Sequence, residues 1–317
     1  MSAQAHVRDL AGGLFARPMR LGRLTLPPPG LVALAALGAV LLLSVATLRW
    51  GGLQDEHAYW LAAQRLAAGQ ALYDPSADPA TPYAYWYPPV LAQVLAPFTG
   101  FVPDLAFSLA WTVLLVACLF YLADRRLLVA LAMVAFVPIA VELWFRNVHL
   151  LIAALAVLAL RRWPLAWVPA AALKITPVIG VAYLVAARRY RAAALVAVVG
   201  LAVLSLSVLV SPGAWSQFVD VALARGGSSG ASLLPVPFPI RFAVALGLAL
   251  AGGRIGGRWG ESLLVVGLLI GNPTLFTTSL SLLAALVPIW HRTDGEAVTR
   301  LQPTTRVARG AAQSPGE

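Results

Sequence analysis

The chain has 317 residues, of which 60% are hydrophobic and 11% charged, with a mean hydropathy of +0.80. That charge fraction is less than half the roughly 25% of soluble domains, which excludes a water-soluble enzyme and implies an all-α polytopic integral membrane protein. The net charge of +10 does not point to nucleic acid, because the arginines cluster at the ends of apolar runs, as in Arg125/Arg126, Arg161/Arg162 and Arg188/Arg189/Arg191. Such clusters orient helices and meet anionic lipid.

In chain order, residues 1–30 form a basic cytoplasmic segment ending at Pro27-Pro28-Pro29, and a first retained span is expected at Leu31–Leu48. The integral domain covers 31–291, and residues 292–317 form a polar tail expected to be disordered and cytoplasmic. Within the domain, 49–104 is expected to be an external loop with juxtamembrane or re-entrant helices. That loop concentrates function. Asp55, Glu56, Asp74 and Asp78 are four of the chain's 13 acidic residues, and five of its 8 tyrosines lie here. An amphipathic helix should open at Asp55, with Tyr59, Ala62, Ala63 and Leu66 on one face and Gln64 and Arg65 turned away. It is expected to lie along the outer membrane surface.

The apolar stretch Tyr87–Pro103 is interrupted by Pro88, Pro89, Pro97 and Gly100 and reads as a re-entrant hairpin before a true span at Leu105–Ala123. Leu127–Phe145 reads as the next span, followed by Val148–Leu160. Trp163–Leu173 and Thr176–Ala187 are each too short to cross and are broken by Lys174 and Pro177. Ala192–Val210 should lead to a second external loop at 211–235, with further apolar segments at Pro237–Ala251, Ser262–Ile270 and Thr274–Trp290. The total is about nine or ten spans.

Asp55 suits two roles, a helix N-cap and a general base whose ionised form the helix dipole favours. Glu56 beside it could substitute. Lys174 is the only lysine against 22 arginines among 23 basic residues. It could meet an anion such as phosphate, or it could snorkel or pair with Glu142. Arg146, Asn147 and His149 share a helix junction, where Arg146 could hold a phosphate bidentately or act as an interface anchor. Arg225 and Arg241 are weaker candidates of the same kind. Tyr83, Tyr85, Trp86 and Tyr87 could stack on a sugar or isoprenoid, although an interfacial belt accounts for most of them. The single cysteine, Cys118, and four scattered histidines offer no metal site. There is no Walker-type loop for ATP and no external Asp-x-Asp for a metal-bound nucleotide sugar. The nearest approach is Asp294-Gly295-Glu296, in the tail.

The Asp after the first span, Tyr59, Gly69-x-x-Leu72-Tyr73-Asp74, Tyr87-Pro88-Pro89, Pro97, Pro103 and Lys174-Ile175-Thr176-Pro177 occur in an order that resembles a known family. They are similar to the polyprenyl-phosphate-mannose-dependent α-mannosyltransferases of glycosyltransferase family 87 (the DUF2029 group) over about Leu31–Ser216. The resemblance implies a GT-C-type membrane fold and inverting transfer of a hexose, usually mannose, from a polyprenyl-phosphate carrier to a glycolipid or glycan acceptor. Transfer would occur on the extracytoplasmic face of the plasma membrane, without metal or cofactor. Asp55 would be the catalytic base, Lys174 and Arg146 would hold the donor phosphate, and Glu56, Tyr59, Tyr87, Asn147 and His149 would contact substrate. Two departures stand out. Arg146-Asn147-Val148-His149 replaces the family's Gly-Gln-x-Asn, and Gly271-Asn272-Pro273-Thr274-Leu275-Phe276 lacks the late histidine common in the family. The competing expectation is a transporter of lipid or sugar, or a structural subunit of an envelope pathway. Such a protein would not need Asp55.

Overall fold

In the computed structural model, residues 19–21, 24–26, 55–73, 84–225 and 232–291 are described. The expected first span at 31–48, Asp74, Asp78, Tyr83 and the 292–317 tail lie outside them. A small antiparallel hairpin pairs β1 (Met19–Leu21) with β2 (Leu24–Leu26), Met19 opposite Leu26. The other described elements are helices, so the protein is an all-α membrane protein.

Helix α1 (Asp55–Ala67) buries Tyr59, Ala62 and Ala63, from the apolar face of the sequence pattern, and Ala58 and Trp60 as well. That wide apolar face packs within the protein, against α2 (Pro89–Leu95) and α3 (Asp104–Leu122). Trp60 stacks on Phe107 at 4.5 Å, and Tyr59 meets the edge of Trp111 at 5.4 Å. Pro88 and Pro89 start α2, where the missing proline N–H costs nothing. A 3-10 turn (Ala96–Phe98) ends this piece after ten residues, short of a span.

Among the described residues, three helices are long and apolar enough to cross a membrane: α3, α9 (Tyr190–Val210) and α11 (Phe238–Ile255). The number rises to four if α4 (Leu127–Val134) and α5 (Val137–Phe145) form one span. The span expected over 127–145 is thus two helices bent by 88°. Pro138, at the start of α5, cannot donate to the preceding turn, and Phe136 is extended. The long helix α9 carries Val198, Leu201, Leu206 and Leu209 more than 60% exposed. In a membrane, hydrocarbon covers this face.

Helix α6 (His149–Arg161) is mostly buried. The next two pieces are broken as the sequence predicts: α7 (Trp167–Leu173) and α8 (Ile179–Ala186) are separated by an extended Lys174 and a 3-10 turn at Thr176–Val178. Residues 212–225, expected as part of a loop, instead form helix α10 (Pro212–Arg225). Its apolar residues Ala214 and Val221 are buried, and Pro212 occupies the first helical position, where proline is favoured. The C-terminal part comprises α11, α12 (Gly257–Ile270), a 3-10 segment (Thr277–Ala285) and α13 (Leu286–Trp290).

Candidate active site

A cavity of about 440 Å³ opens between α1, the 84–88 segment leading into α2, the ends of α5 and α7, and the 272–278 segment. That volume is within the range of roughly 300–1,000 Å³ for small-molecule pockets. Its polar lining includes Asp55, Tyr59, Tyr87, Asn147, Lys174 and Asn272, and its apolar walls include Trp86 and Phe218.

Asp55 is the first residue of α1, where a carboxylate suits the free N–H groups of the helix. Burial outweighs that dipole and pushes its carboxyl up to about 6. The nearby charge of Glu142 pushes it the same way, while a hydrogen bond from Asn147 and the charge of Lys174 pull it back. The amide of Asn147 is fixed in orientation by its own neighbours. Its oxygen accepts from Tyr87 Oη at 3.2 Å and from the Val148 N–H at 2.7 Å, so its Nδ2 is left to donate to Asp55. Tyr59 Oη donates to Tyr87 Oη at 3.0 Å, behind that contact.

Tyr87 is itself held by its neighbours. Tyr73 Oη donates to the Tyr87 carbonyl at 2.6 Å, and Tyr85 Oη donates to the Pro88 carbonyl at 2.8 Å. Tyr85 and Tyr87 are therefore buried supports of the site and not members of an interfacial belt.

Lys174 reaches the opposite wall. Its Nζ lies 2.8 Å from His149 Nε2, 3.4 Å from Asn272 Oδ1 and 5.4 Å from the centre of the Tyr87 ring. Glu142, fully buried, accepts from the N–H groups of His149 (2.6 Å) and Leu150 (3.1 Å) at the start of α6, and its second oxygen faces His149 Nδ1 at 3.1 Å. It thereby satisfies donors that a helix N-terminus leaves open.

Three residues expected at the substrate take other positions. Arg146 forms a buried ion pair with Glu56, and Ser108 joins both of them. Burial raises the Glu56 carboxyl and the Arg146 charge opposes the rise. Neither residue lines the cavity. The Arg146 backbone is left-handed at φ 55°, and its carbonyl accepts from Trp111 Nε1 at 2.9 Å. The pair and this bond hold a conformation that costs an L-residue about 1–2 kcal/mol. Arg146 is thus placed to clamp α1 and α3 onto the α5–α6 junction. His149 is also behind the wall, 1% exposed, reaching the cavity only through Lys174 and Asn272.

Asn272, Thr274, Thr277, Thr278 and Phe218 line the cavity without having been singled out as site residues. The signal for Asn272 was an amide directly after an apolar helix and before Pro273. Arg241 supports this segment from α11. Its guanidinium donates to the carbonyls of Val236 (2.9 Å), Ile270 (3.3 Å), Asn272 and Pro273 (2.8 Å).

Comparison with known families decides the class of chemistry. The profile of glycosyltransferase family 87 matches residues 85–304. The chain belongs to glycosyltransferase family 87. It is therefore a membrane glycosyltransferase, which needs a sugar donor and an acceptor. The family 87 match begins after α1, so the placement of Asp55, Glu56 and Tyr59 rests on the geometry above. No curated protein and no solved structure gives a significant match to the chain.

Proposed function

We propose that this family 87 enzyme transfers a hexose, mannose in the first instance, from a polyprenyl-phosphate sugar to a glycolipid or glycan acceptor. The reaction is an inverting single displacement at the extracytoplasmic face of the plasma membrane. Asp55 takes the proton from the acceptor hydroxyl. The hydroxyl oxygen attacks the anomeric carbon as the bond from that carbon to the phosphate oxygen breaks. Polyprenyl phosphate leaves with an added negative charge, which Lys174 stabilises. A phosphate leaving group departs without a general acid, so one base and one cation cover the charge that develops.

The observation that carries this reading is the presence of Asp55 and Lys174 on one cavity, close enough that the lysine charge lowers the Asp55 pKa. Asp55 is the one carboxylate among the described residues that line the cavity. Direct displacement needs one base, whereas a double displacement needs a nucleophile besides the base. Asn147 and Tyr87 orient the base, and Trp86 and Phe218 offer ring faces to a sugar or isoprenoid.

The test is transfer of label from radiolabelled polyprenyl-phosphate mannose to a membrane lipid extract by protein in nanodiscs, with wild type and Asp55→Asn side by side. The variant keeps the shape and removes the base, so turnover should fall by about 10²–10⁴-fold while the donor still binds. Near-normal transfer by Asp55→Asn would exclude the base. Failure of wild type to bind this donor would point to another sugar.

A further inference from the structure

We infer that His149 is a positioning residue that aims Lys174 into the cavity as a charged ammonium, by serving as its neutral hydrogen-bond acceptor. This rests on the reading of Lys174 as the cation that meets the donor phosphate.

The proton on His149 is assigned by its neighbours. Glu142 Oε1 already accepts two backbone N–H groups, and Oε2 faces His149 Nδ1. The Asn272 amide NH2 and the Lys174 ammonium can only donate, so Nε2 presents a lone pair to them and Nδ1 carries the hydrogen that faces Glu142 Oε2. Three groups approach that lone pair: Lys174 Nζ at 2.8 Å, Asn272 Nδ2 at 2.9 Å and Ser279 Oγ at 3.3 Å. Asn272 also donates to Ser279 Oγ at 3.1 Å, and its own oxygen faces Lys174 at 3.4 Å. Among the described residues, the ionisable groups in contact with His149 are Glu142, from α5, and Lys174, from the α7–α8 break.

The nature of the acceptor matters for function. Among the described residues, Lys174 meets an imidazole nitrogen, an amide oxygen and a tyrosine ring. All three hold an ammonium without cancelling its charge. A carboxylate in the same place would neutralise it, and an incoming phosphate would have to displace that carboxylate. Glu142 acts on Lys174 through the imidazole. Its Oε2, accepting from Nδ1, holds the tautomer while the ring keeps Glu142 one residue away from the ammonium.

The test separates the two nitrogens of the ring. Asparagine at 149 reaches only as far as Nδ1, so it retains a donor for Glu142 and offers nothing to Lys174. Glutamine reaches as far as Nε2 and restores an acceptor for Lys174. Full-length His149→Asn, His149→Gln, Lys174→Met and the double variant Lys174→Met/His149→Asn are titrated in nanodiscs with a polyprenyl monophosphate. Tryptophan fluorescence reports binding through Trp86, and thermal melts report folding. Loss of a hydrogen bond to a charged group should raise Kd about 10-fold in His149→Asn, with His149→Gln within about twofold of wild type. In the Lys174→Met background the same change should add little, because the two residues act as one unit. Should His149→Asn not fold, His149→Ala, which leaves the two backbone bonds of Glu142 in place, replaces it. Equal losses in the Asn and Gln variants, or a loss that adds to Lys174→Met, would overturn the inference about His149 alone. An unchanged Kd in Lys174→Met would instead remove the phosphate role of Lys174.

Discussion

At Asp55 the sign of the pH dependence follows from the direction of its pKa. The carboxyl is pushed up to about 6. Below that pH it is protonated and accepts no further proton, and above it the carboxylate is free to act. The value of kcat/KM should therefore climb with pH through about 6 and level off above it, a limb that a pH–rate profile of the wild type displays. A flat profile from pH 5 to 8 would contradict the assignment. One residue along, Glu56 has a different fate. Consecutive positions on a helix point about 100° apart, so Glu56 turns away from the cavity into Ser108 and Arg146. Removing one member of a buried ion pair strands the other, at about 3–5 kcal/mol. Glu56→Gln should accordingly lower thermal stability strongly, and Glu56→Leu/Arg146→Met together should recover much of the loss. These neighbours show how far sequence reaches at this scale. The clustering of Asp55, Tyr59, Tyr87, Asn147 and Lys174 was legible because each is polar beside an apolar run. The direction in which Arg146 and His149 point was not, since it depends on Glu56 and Glu142 arriving from other elements.

At the scale of elements, proline and charge positions carried most of the legible information. The short α2, the α7–α8 break and the extended Lys174 all follow from residues that cannot continue a helix. Helix α10 was not legible, because Gly226, Gly227 and Gly230 just beyond it give the whole 211–235 stretch the composition of a loop. The 270–273 turn was hidden for a further reason: its geometry is imposed from α11. Arg241 is 3% exposed, and it donates to backbone carbonyls that would otherwise face an apolar interior. Arg241→Ala leaves several acceptors without a donor, at about 1–3 kcal/mol for each one that water does not reach. The melting temperature should fall, and polyprenyl monophosphate should bind more weakly as Asn272 drifts from Lys174. Arg241→Lys places one compact ammonium where a planar fork had spread over four carbonyls, so it should fall between the two. Wild-type affinity in Arg241→Ala would show that the turn holds its shape without this clamp.

Across the whole molecule, the C-terminal helix pair acts as a scaffold that brings the 271–278 segment to the cavity. A Cβ added at Gly260 would lie 2.1 Å from the Gly252 carbonyl oxygen, and one at Gly252 would lie 2.4 Å from that of Gly260. The α11 and α12 backbones touch here, the close approach that small residues permit between membrane helices. At the other end of α12, a Cβ at Gly271 would meet Ala245 at 2.8 Å and Thr176 at 2.9 Å, beside the 2.8 Å bond from Thr176 Oγ1 to the Gly271 carbonyl. The two contacts are separated by eleven residues, roughly 16 Å of helix. Overpacking typically costs about 1–3 kcal/mol, and it should do so at both ends, but only the second borders the lysine break. Gly260→Ala and Gly271→Ala should therefore both lower the melting temperature in nanodiscs, while Gly271→Ala alone weakens polyprenyl monophosphate binding. Equal weakening in both variants would mean that the helix pair moves as a rigid unit and transmits strain along its length. No weakening in either would detach Thr176 and the 271–278 segment from the work of holding Lys174.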